Sequence, residues 1–431
     1  MRTASTRGAA GGGRARERRR GALRRLAAVG ACGALLCAAP GAAAAADGPR
    51  TWWVGPGGSI QEAVDRAASG DTVEIAAGTY REAVCVVGKG LTIRGAGREA
   101  TTITWPDWGA GAPLPEVAPT PCWEAQERAD EEDDGTTLAD DVSGLFFLGP
   151  DAPVRVQDLG TLNHPANGVA VWGGWGVEVR GTRGVAHERY GVLAADSHDV
   201  VVADNLELGW DRGAPWYSGT AGVSVGDSDG ARAGVLGNTV VGYNLGVFVK
   251  ESRGGTVAGN TLTGNCAGVL LFDDSATEVP DTTRHVEGGD WAVVDNTVTA
   301  NNRYCLVGRD GTQRVSGTGV AVTNADHVLV ARNTITDHRP WTPEGAEPVN
   351  FPSGAVALVA FAAPPGTDPA GAVPPGTVED VLVTGNTTAG NVPQDVWVTH
   401  AVPGSPLQDP GARVVVESSG CTVASLAERC G

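Results

Sequence analysis

The sequence predicts an all-β solenoid, a parallel β-helix in which short strands wind round one axis. Two alternating elements carry this prediction: a glycine followed by apolar residues at alternate positions, and an asparagine followed by a short run of β-formers. The glycine element recurs at Gly168, Gly191, Gly222, Gly246, Gly268, Gly319 and Gly354. The asparagine element recurs at Asn205, Asn238, Asn260, Asn296, Asn333 and Asn386. The tightest repeat, from 238 to 260, is 22 residues, a length typical of one β-helix coil.

The first 46 residues predict a signal peptide that is not part of the fold. They contain nine arginines and a single acid, then the apolar run 26–39 and an alanine tract that offers a cleavage site before Asp47. No later run is long and apolar enough to predict a membrane-spanning helix. We therefore expect residues 47–431 to form one secreted, extracellular β-helix domain, and we expect it to be a monomer.

The charge of the chain limits its partners. Loss of the signal would remove nine arginines and one glutamate and would take the formal net charge from −18 to −26. Such a charge repels nucleic acid, anionic membranes and free polyuronates, whereas neutral partners and cations are tolerated. Only two lysines accompany 30 arginines, a bias typical of GC-rich, actinobacterial-type genomes.

A short helix is predicted at about residues 59–68, ahead of the first strands. Ser59 and Glu62 have the spacing of a capping box, and Ile60, Val64 and Ala67 fall on one helical face. A stack of coils has an open apolar end that needs a plug. We expect this helix to be that plug, with the first strands following it.

The asparagine of each coil is expected at a corner. Asparagine tolerates left-handed backbone, and its amide can hydrogen-bond to the coils on either side. Longer intervals between repeats contain insertions rich in proline, tryptophan or aspartate, at 209–221, 273–290, 338–352 and 361–376. A leucine-rich repeat has a similar length, but the sequence does not follow its leucine frame.

The N-terminal coil resembles that of secreted right-handed parallel β-helix repeat proteins of the pectin-lyase-like superfamily, in the stretch VGPGGSIQEAVDRAASGDTVEIAAGTYREAV. The later Gly-Val and Gly-Asn coils extend the resemblance over residues 52–400. This superfamily includes pectate lyases, pectin methylesterases, polygalacturonases, alginate epimerases and accessory proteins of a copper enzyme. The resemblance implies the fold and a glycan partner, while the motifs specify the chemistry poorly.

The catalytic signatures of those enzymes are not matched in this sequence. Arg339-Pro-Trp341 reproduces only the end of a pectin methylesterase element. Asp196-Ser-His-Asp199 lacks the proline of the alginate epimerase element. No catalytic mechanism can therefore be carried over from the resemblance.

Aligning the coils on their glycines reveals a column of acids. An acid stands five residues after the glycine in four coils, at Asp196, Asp227, Glu251 and Asp273. If the coils stack directly, neighbouring members lie about 4.8 Å apart. In one interpretation each acid is a turn residue that accepts hydrogen bonds from backbone amides. In the other the four acids ligate Ca²⁺, a hard cation that takes carboxylate oxygens from several segments.

The same alignment predicts an outward face. If Val247 and Val249 point inward, Phe248 and Lys250 point outward. An outward face with large apolar groups needs either a cover, which the insertions could supply, or a ligand such as a sugar. The candidate substrate-binding residues are Trp172, Trp210, Trp216, Tyr217, Phe248 and Phe272. The candidate catalytic residues are Lys250, Glu251 and Asp273, with Lys250 as a base or an anion clamp.

Six cysteines follow the signal segment, and an even number outside the cytoplasm predicts disulfides. Cys266 and Cys305 occupy nearly the same corner of adjacent coils. We therefore predict the bond Cys266–Cys305. The other predicted pairs are also local, Cys85–Cys122 and Cys421–Cys430.

The leading hypothesis is a secreted β-helix protein that binds an extracellular polysaccharide on its outward strand face. If it also cleaves that glycan, it is a polysaccharide lyase or a glycoside hydrolase. The alternatives are a non-catalytic scaffold of the cell envelope or matrix, and an accessory protein of a metalloenzyme. The last is disfavoured because the chain after the signal has no methionine with which to carry a soft metal.

Overall fold

The computed structural model describes residues 48–106, 114–129, 138–210, 219–273, 286–307, 313–360, 378–399 and 414–417. These residues form a parallel β-helix, so the predicted fold class is confirmed. Each coil passes through three sheets in a fixed order, here named sheet I, sheet II and sheet III. Every strand within a sheet pairs in parallel with the equivalent strands of the coils before and after it.

The strands of the three sheets are short. Sheet I contains Val84–Val87, Leu145–Leu148, Val169–Trp172, Tyr190–Ala195, Ala221–Ser228, the first part of Leu245–Ala258, Ala267–Phe272, Thr318–Thr323, Gly354–Val359 and Val396–Thr399. Sheet II contains Thr51–Val54, Thr72–Ile75, Thr92–Gly95, Val154–Gln157, Trp175–Arg180, His198–Ala203, Ala233–Leu236, the second part of Leu245–Ala258, Gly289–Val294, Leu329–Ala331, Leu382–Thr384 and Val415–Glu417. Sheet III contains Gly78–Tyr80, Thr101–Thr104, Gly160–Leu162, Arg183–Val185, Leu206–Leu208, Thr239–Val241, Thr261–Thr263, Thr297–Thr299, Thr334–Thr336 and Thr387–Ala389.

The remaining elements lie outside the three sheets. They are the helices Ile60–Arg66 and Pro121–Ala129, the 3₁₀ helix Leu138–Asp141, and an antiparallel hairpin of Cys305–Val307 with Gln313–Val315. No helix among the described residues is long and apolar enough to cross a membrane.

One continuous apolar core fills the coils from Val54 to Val416. Alternate residues of each strand supply it, as the pleat requires. Val247 and Val249 of sheet I are 0% and 2% exposed, so they point inward as predicted. Each coil is too thin to bury these apolar side chains by itself, so the neighbouring coils complete their burial.

The repeated glycine is explained by the thinness of this core. A Cβ added to Gly268 would lie 2.3 Å from Cγ1 of Val298 on sheet III and 2.6 Å from the carbonyl oxygen of Gly319 in the next coil. Such distances are far inside van der Waals contact. A glycine therefore suits the start of sheet I beside sheet III, although Ala355 occupies the equivalent position in the coil after Gly319.

The repeated asparagines form a ladder through the corner between sheets II and III. Asn260 Nδ2 donates to Asn296 Oδ1 at 2.9 Å and to the Val235 carbonyl at 2.9 Å, and the same pattern runs from Asn205 to Asn386. The expectation that asparagine itself adopts the left-handed backbone is wrong. The positive φ belongs to the preceding residue, for example Gly259 at 66° and Asp295 at 57°. Asparagine is selected here for its amide.

The helix Ile60–Arg66 packs its buried side chains on the first coils, where the plug was expected. Half of the predicted capping box is present, because Ser59 Oγ accepts from the Glu62 N–H at 3.2 Å. The carboxylate that caps the helix is not that of Glu62 but that of Glu82, which follows the strand Gly78–Tyr80. Glu82 accepts from the N–H groups of Ile60 and Gln61 at 2.9 and 3.0 Å. A carboxylate at this end stabilises both the unpaired amides and the helix dipole.

Candidate functional site

The outward face of sheet I has the side-chain register that the sequence predicts. Phe248 pairs with Ser224 on one side and Leu270 on the other. Lys250 pairs with Gly226 and Phe272 in the same way. Both columns stand between the coils' inward valines, so they face away from the core.

The N-terminal part of this face is covered. The helix Pro121–Ala129 places Trp123 over Phe146 of sheet I, with the ring centroids 6.3 Å apart. The buried amide of Asn167 donates to Gln126 Oε1 of that helix at 3.0 Å. Asp141, 1% exposed, accepts from Arg189 at 3.1 Å. A cover was one of the two sequence-based expectations for this face, but this one comes from the segment between Thr104 and Leu145, which is not among the insertions named from the sequence.

The C-terminal part is covered by a different segment. The disulfide Cys266–Cys305 ties the hairpin to sheet I, and Val315 and Phe351 pack with it on the outward side chains. Ala321 and Ala357 beneath are 0% and 1% exposed. Two covers therefore bound the sheet I face along the helix axis.

Between the covers lies a set of half-buried side chains, here called the central patch. It consists of Tyr190, Phe248, Lys250 and Phe272. The rings of Phe248 and Phe272 are 6.2 Å apart and tilted by 46°. Rings held on rigid strands at this spacing present apolar surface with little conformational freedom left to lose.

The other predicted substrate-binding residues do not join the central patch. Trp172 packs edge-on against Phe146 at 5.2 Å, beside the N-terminal cover. Trp210 follows the strand Leu206–Leu208, at the corner that leads out of sheet III. Trp216 and Tyr217 lie outside the described residues.

The acid column exists as geometry. Sheet I register brings Asp196, Asp227, Glu251 and Asp273 to successive coils, because the residues just before them pair in turn. The φ angles of the first three are 45°, 50° and 46°. Among the described residues, nine of the 17 non-glycine residues with positive φ are aspartates, spread over several corners. Aspartate tolerates this backbone, which explains its recurrence at corners without a ligand.

Asp273 has a structural bond that accounts for its position. It is 7% exposed, and its Oδ2 accepts from the Gly288 N–H at 3.0 Å, across the base of the insertion that it opens. Glu251 is also buried, at 1% exposure, whereas Asp196 and Asp227 are exposed. No group of three His, Cys, Asp or Glu that could hold a metal occurs within the described ranges. Calcium binding by these acids and catalytic roles for Glu251 and Asp273 stay untested predictions.

Sequence reasoning missed a polar layer inside the coils. Glu207, Tyr243, His164 and His187 are all buried to 1% exposure or less. Burial lowers the pKa of His164 to about 4 and that of His187 to about 3, and it raises the pKa of Glu207 well above its usual range. The sequence did carry a signal of this layer. Glu207 occupies the inward position that Val240 and Leu262 occupy in other coils.

Two disulfides are present in the described chain. The Cα atoms are 5.7 Å apart in Cys85–Cys122 and 6.0 Å apart in Cys266–Cys305. Cys85–Cys122 attaches the N-terminal cover to the first strand of sheet I. The predicted pair Cys421–Cys430 lies outside the described residues.

Comparison with known proteins agrees with the architecture. The profile of the family described as "Right handed beta helix region" matches residues 167–340. No curated protein sequence matches the chain. Among solved structures, an alginate lyase from Paenibacillus sp. str. FPU-7 is 14% identical, with a TM-score of 0.47 over 80% of this chain and 97% of that one.

Two further solved structures are similar at the same level of the fold. A periplasmic alginate epimerase is 14% identical, with a TM-score of 0.39 over 79% of this chain and 72% of that one. The A-module of a mannuronan C-5 epimerase from Azotobacter vinelandii is 16% identical, with a TM-score of 0.32 over 85% and 90%. The described coils on both sides of the matched region repeat its architecture. The described chain is a parallel β-helix, and its residues 167–340 match the family model of the right-handed β-helix region.

Proposed function

We propose that this protein is secreted and binds an extracellular polysaccharide at the central patch of sheet I. The observation that carries the proposal is the partly buried aromatic pair Phe248 and Phe272, set 6.2 Å apart between two covers. The covers bury neighbouring parts of the sheet I face, including Phe146, Leu270 and Ala321. An apolar strip bounded in this way is typical of a binding surface.

The geometry suits a sugar. The axial hydrogens of a pyranose form an apolar face that stacks on an aromatic ring, while its hydroxyls need polar partners at the rim. Lys250 pairs in register with Phe272 at the edge of the patch, and an ammonium group is a hydrogen-bond donor that suits a sugar hydroxyl. Because rigid strands carry these groups, binding orders few side chains.

The charge of the chain narrows the glycan class. A net charge of −18, or −26 without the predicted signal, opposes a polyuronate by long-range repulsion. A lyase reaction requires a uronic acid in its substrate, so the same charge disfavours it. The proposal is therefore binding of a polysaccharide without carboxylates.

The test compares binding of uncharged and uronic-acid oligosaccharides on a glycan array, followed by calorimetry with the best ligand. Phe248→Ala and Phe272→Ala should each weaken binding about tenfold, which corresponds to about 1.4 kcal/mol for one lost ring contact. Trp53→Ala is the matched control, because Trp53 is 78% exposed on sheet II, and it should leave the affinity unchanged.

Three outcomes would overturn the proposal. Wild-type protein that binds no glycan at millimolar concentration favours the scaffold alternative. Equal losses in Phe248→Ala and Trp53→Ala would place binding elsewhere. Release of reducing ends or unsaturated products, abolished by Lys250→Met, would show that the patch is catalytic and that binding alone is too narrow a description.

A further inference from the structure

A second polar column runs inside the corner that leads from sheet III to sheet I. In its C-terminal part the hydrogen bonds form a continuous chain. Asn265 Nδ2 donates to Asn301 Oδ1 at 2.9 Å, Asn301 Nδ2 meets His338 Nε2 at 3.1 Å, and His338 Nδ1 meets Asn391 Oδ1 at 3.1 Å. Each coil thus satisfies the polar group of its neighbour.

In the N-terminal part of the same corner, the buried polar groups do not form a continuous chain of hydrogen bonds. Among the described residues, four buried atoms in successive coils have no hydrogen-bond partner: His164 Nδ1, His187 Nδ1 and Tyr243 Oη at the corner, and Glu207 Oε2 on the adjoining sheet III strand. The groups are close neighbours. The two imidazole rings stack at 5.6 Å, and the charge of a Glu207 carboxylate would act on Tyr243. Buried polar atoms almost always have partners, so four orphans in successive coils need an explanation.

Small residues surround Glu207 at this level. Sheet III register stacks Glu207 on Gly184, which has no side chain. The inward position of sheet I holds Ala194, between Val171 and Val225 of the adjacent coils. The Glu207 carboxylate turns toward the space at Gly184 and Gly191, where an added Cβ would overlap Oε2. The carboxyl group thus lies where side chains at Gly184 and Gly191 would stand, and its Oε2 has no hydrogen-bond partner among the described residues.

Charge pairing cannot satisfy these atoms. Burial lowers the pKa of both histidines to about 3 and about 4 and raises the pKa of Glu207 and Tyr243 well above their usual ranges. Burial therefore favours the neutral form of all four groups. A neutral set of donors and acceptors is what an internal water molecule can bridge, since it donates two hydrogen bonds and accepts two.

We propose that the β-helix encloses an internal hydration site at the level of Gly184 and Ala194, with ordered water bridging Glu207 Oε2, Tyr243 Oη and His187 Nδ1. The water replaces the amide ladder that the C-terminal coils use. Its position inside the coils separates it from the glycan-binding patch on the outer surface, so neither proposal depends on the other.

The primary test is a crystal structure of the wild-type protein at a resolution that orders internal water. We expect density for at least one water within hydrogen-bonding distance of both Glu207 Oε2 and Tyr243 Oη. An empty site would overturn the proposal. So would a direct bond from Glu207 Oε2 to another protein group.

A solution test uses ¹⁷O magnetic relaxation dispersion to count slowly exchanging water. Glu207→Leu restores the apolar residue type of the other coils and should remove at least one such water. Tyr80→Phe is the matched control, because the Tyr80 hydroxyl donates directly to the Ala76 carbonyl at 2.9 Å and should hold no internal water. An unchanged count in Glu207→Leu would refute the proposal, and the wild-type crystal structure decides the question if that variant does not fold.

Discussion

Substitution of Asn260 by alanine removes the middle of the asparagine ladder. Its Nδ2 donates to Asn296 Oδ1 and to the Val235 carbonyl, both at 2.9 Å. Its Oδ1 accepts from the backbone N–H and from the side-chain amide of Asn238, at 2.8 and 3.0 Å. Asn260 is 1% exposed, so water does not replace these partners.

The expected cost follows from the four bonds. At about 1 kcal/mol for each hydrogen bond, Asn260→Ala should lower the free energy of unfolding by about 4 kcal/mol. Asn386→Ala is the matched control at the far end of the ladder. Asn386 makes three such bonds and is only partly buried, so its loss should cost about half as much.

Urea denaturation measures the change, and amide hydrogen exchange locates it. Solenoids do not always unfold in one step, so the Asn238 N–H is the decisive local probe, because its acceptor is Asn260 Oδ1. Its protection should fall in Asn260→Ala and not in Asn386→Ala. A loss of stability below about 1 kcal/mol with unchanged protection at Asn238 would refute the view that the ladder couples the coils.

Three further predictions concern the cap and the buried titratable groups. Glu82→Ala leaves the Ile60 amide unpaired at the helix start and should cost about 1–2 kcal/mol in urea denaturation, whereas no change would show that Ser59 caps the helix alone. Burial lowers the pKa of His164 to about 4 and of His187 to about 3 from 6.5, so the folded state binds fewer protons than the unfolded one. Stability should therefore be complete above pH 6.5 and fall between pH 6.5 and 3, and a flat melting temperature across that range would contradict the burial. Burial raises the pKa of Glu207 well above 4.5, so the free-energy cost of burying this group grows as pH rises past 4.5. Glu207→Gln should therefore gain stability relative to wild type as pH rises above 4.5, and a pH-independent difference in urea denaturation would contradict the raised pKa.

The repeat determines the fold without reference to a structure. Period-two apolar patterns fix which residues point inward, and Gly or Asn every 22 residues or more fixes where the coil turns. For that reason the outward placement of Phe248 and Lys250 could be predicted. The pairing of Cys266 with Cys305 follows from the same register, because a coil stacked on its neighbour brings equivalent corners together.

The role of the four acids in the column could not be predicted from the repeat. A repeated acid at a strand end has the same sequence pattern whether it ligates a cation or occupies a left-handed corner. Positive φ at Asp196, Asp227 and Glu251, and the bond from the Gly288 N–H to Asp273, give these acids backbone roles. Those are properties of the chain path, which periodicity alone does not specify.

The sequence by itself determined the solenoid, its register and the orientation of its side chains, because these depend on residues a fixed distance apart in the chain. Only the tertiary structure decided how much of the outward face is open. The helix with Trp123 and the hairpin tied at Cys305 cover it from two sides, and they arrive from irregular insertions with no periodic signal. The same holds for the interior, where only the structure shows that the Glu207 carboxyl group lies against Gly184 and Gly191. Contacts between segments of unrelated sequence depend on where the coils bring them, and that is information carried by the fold.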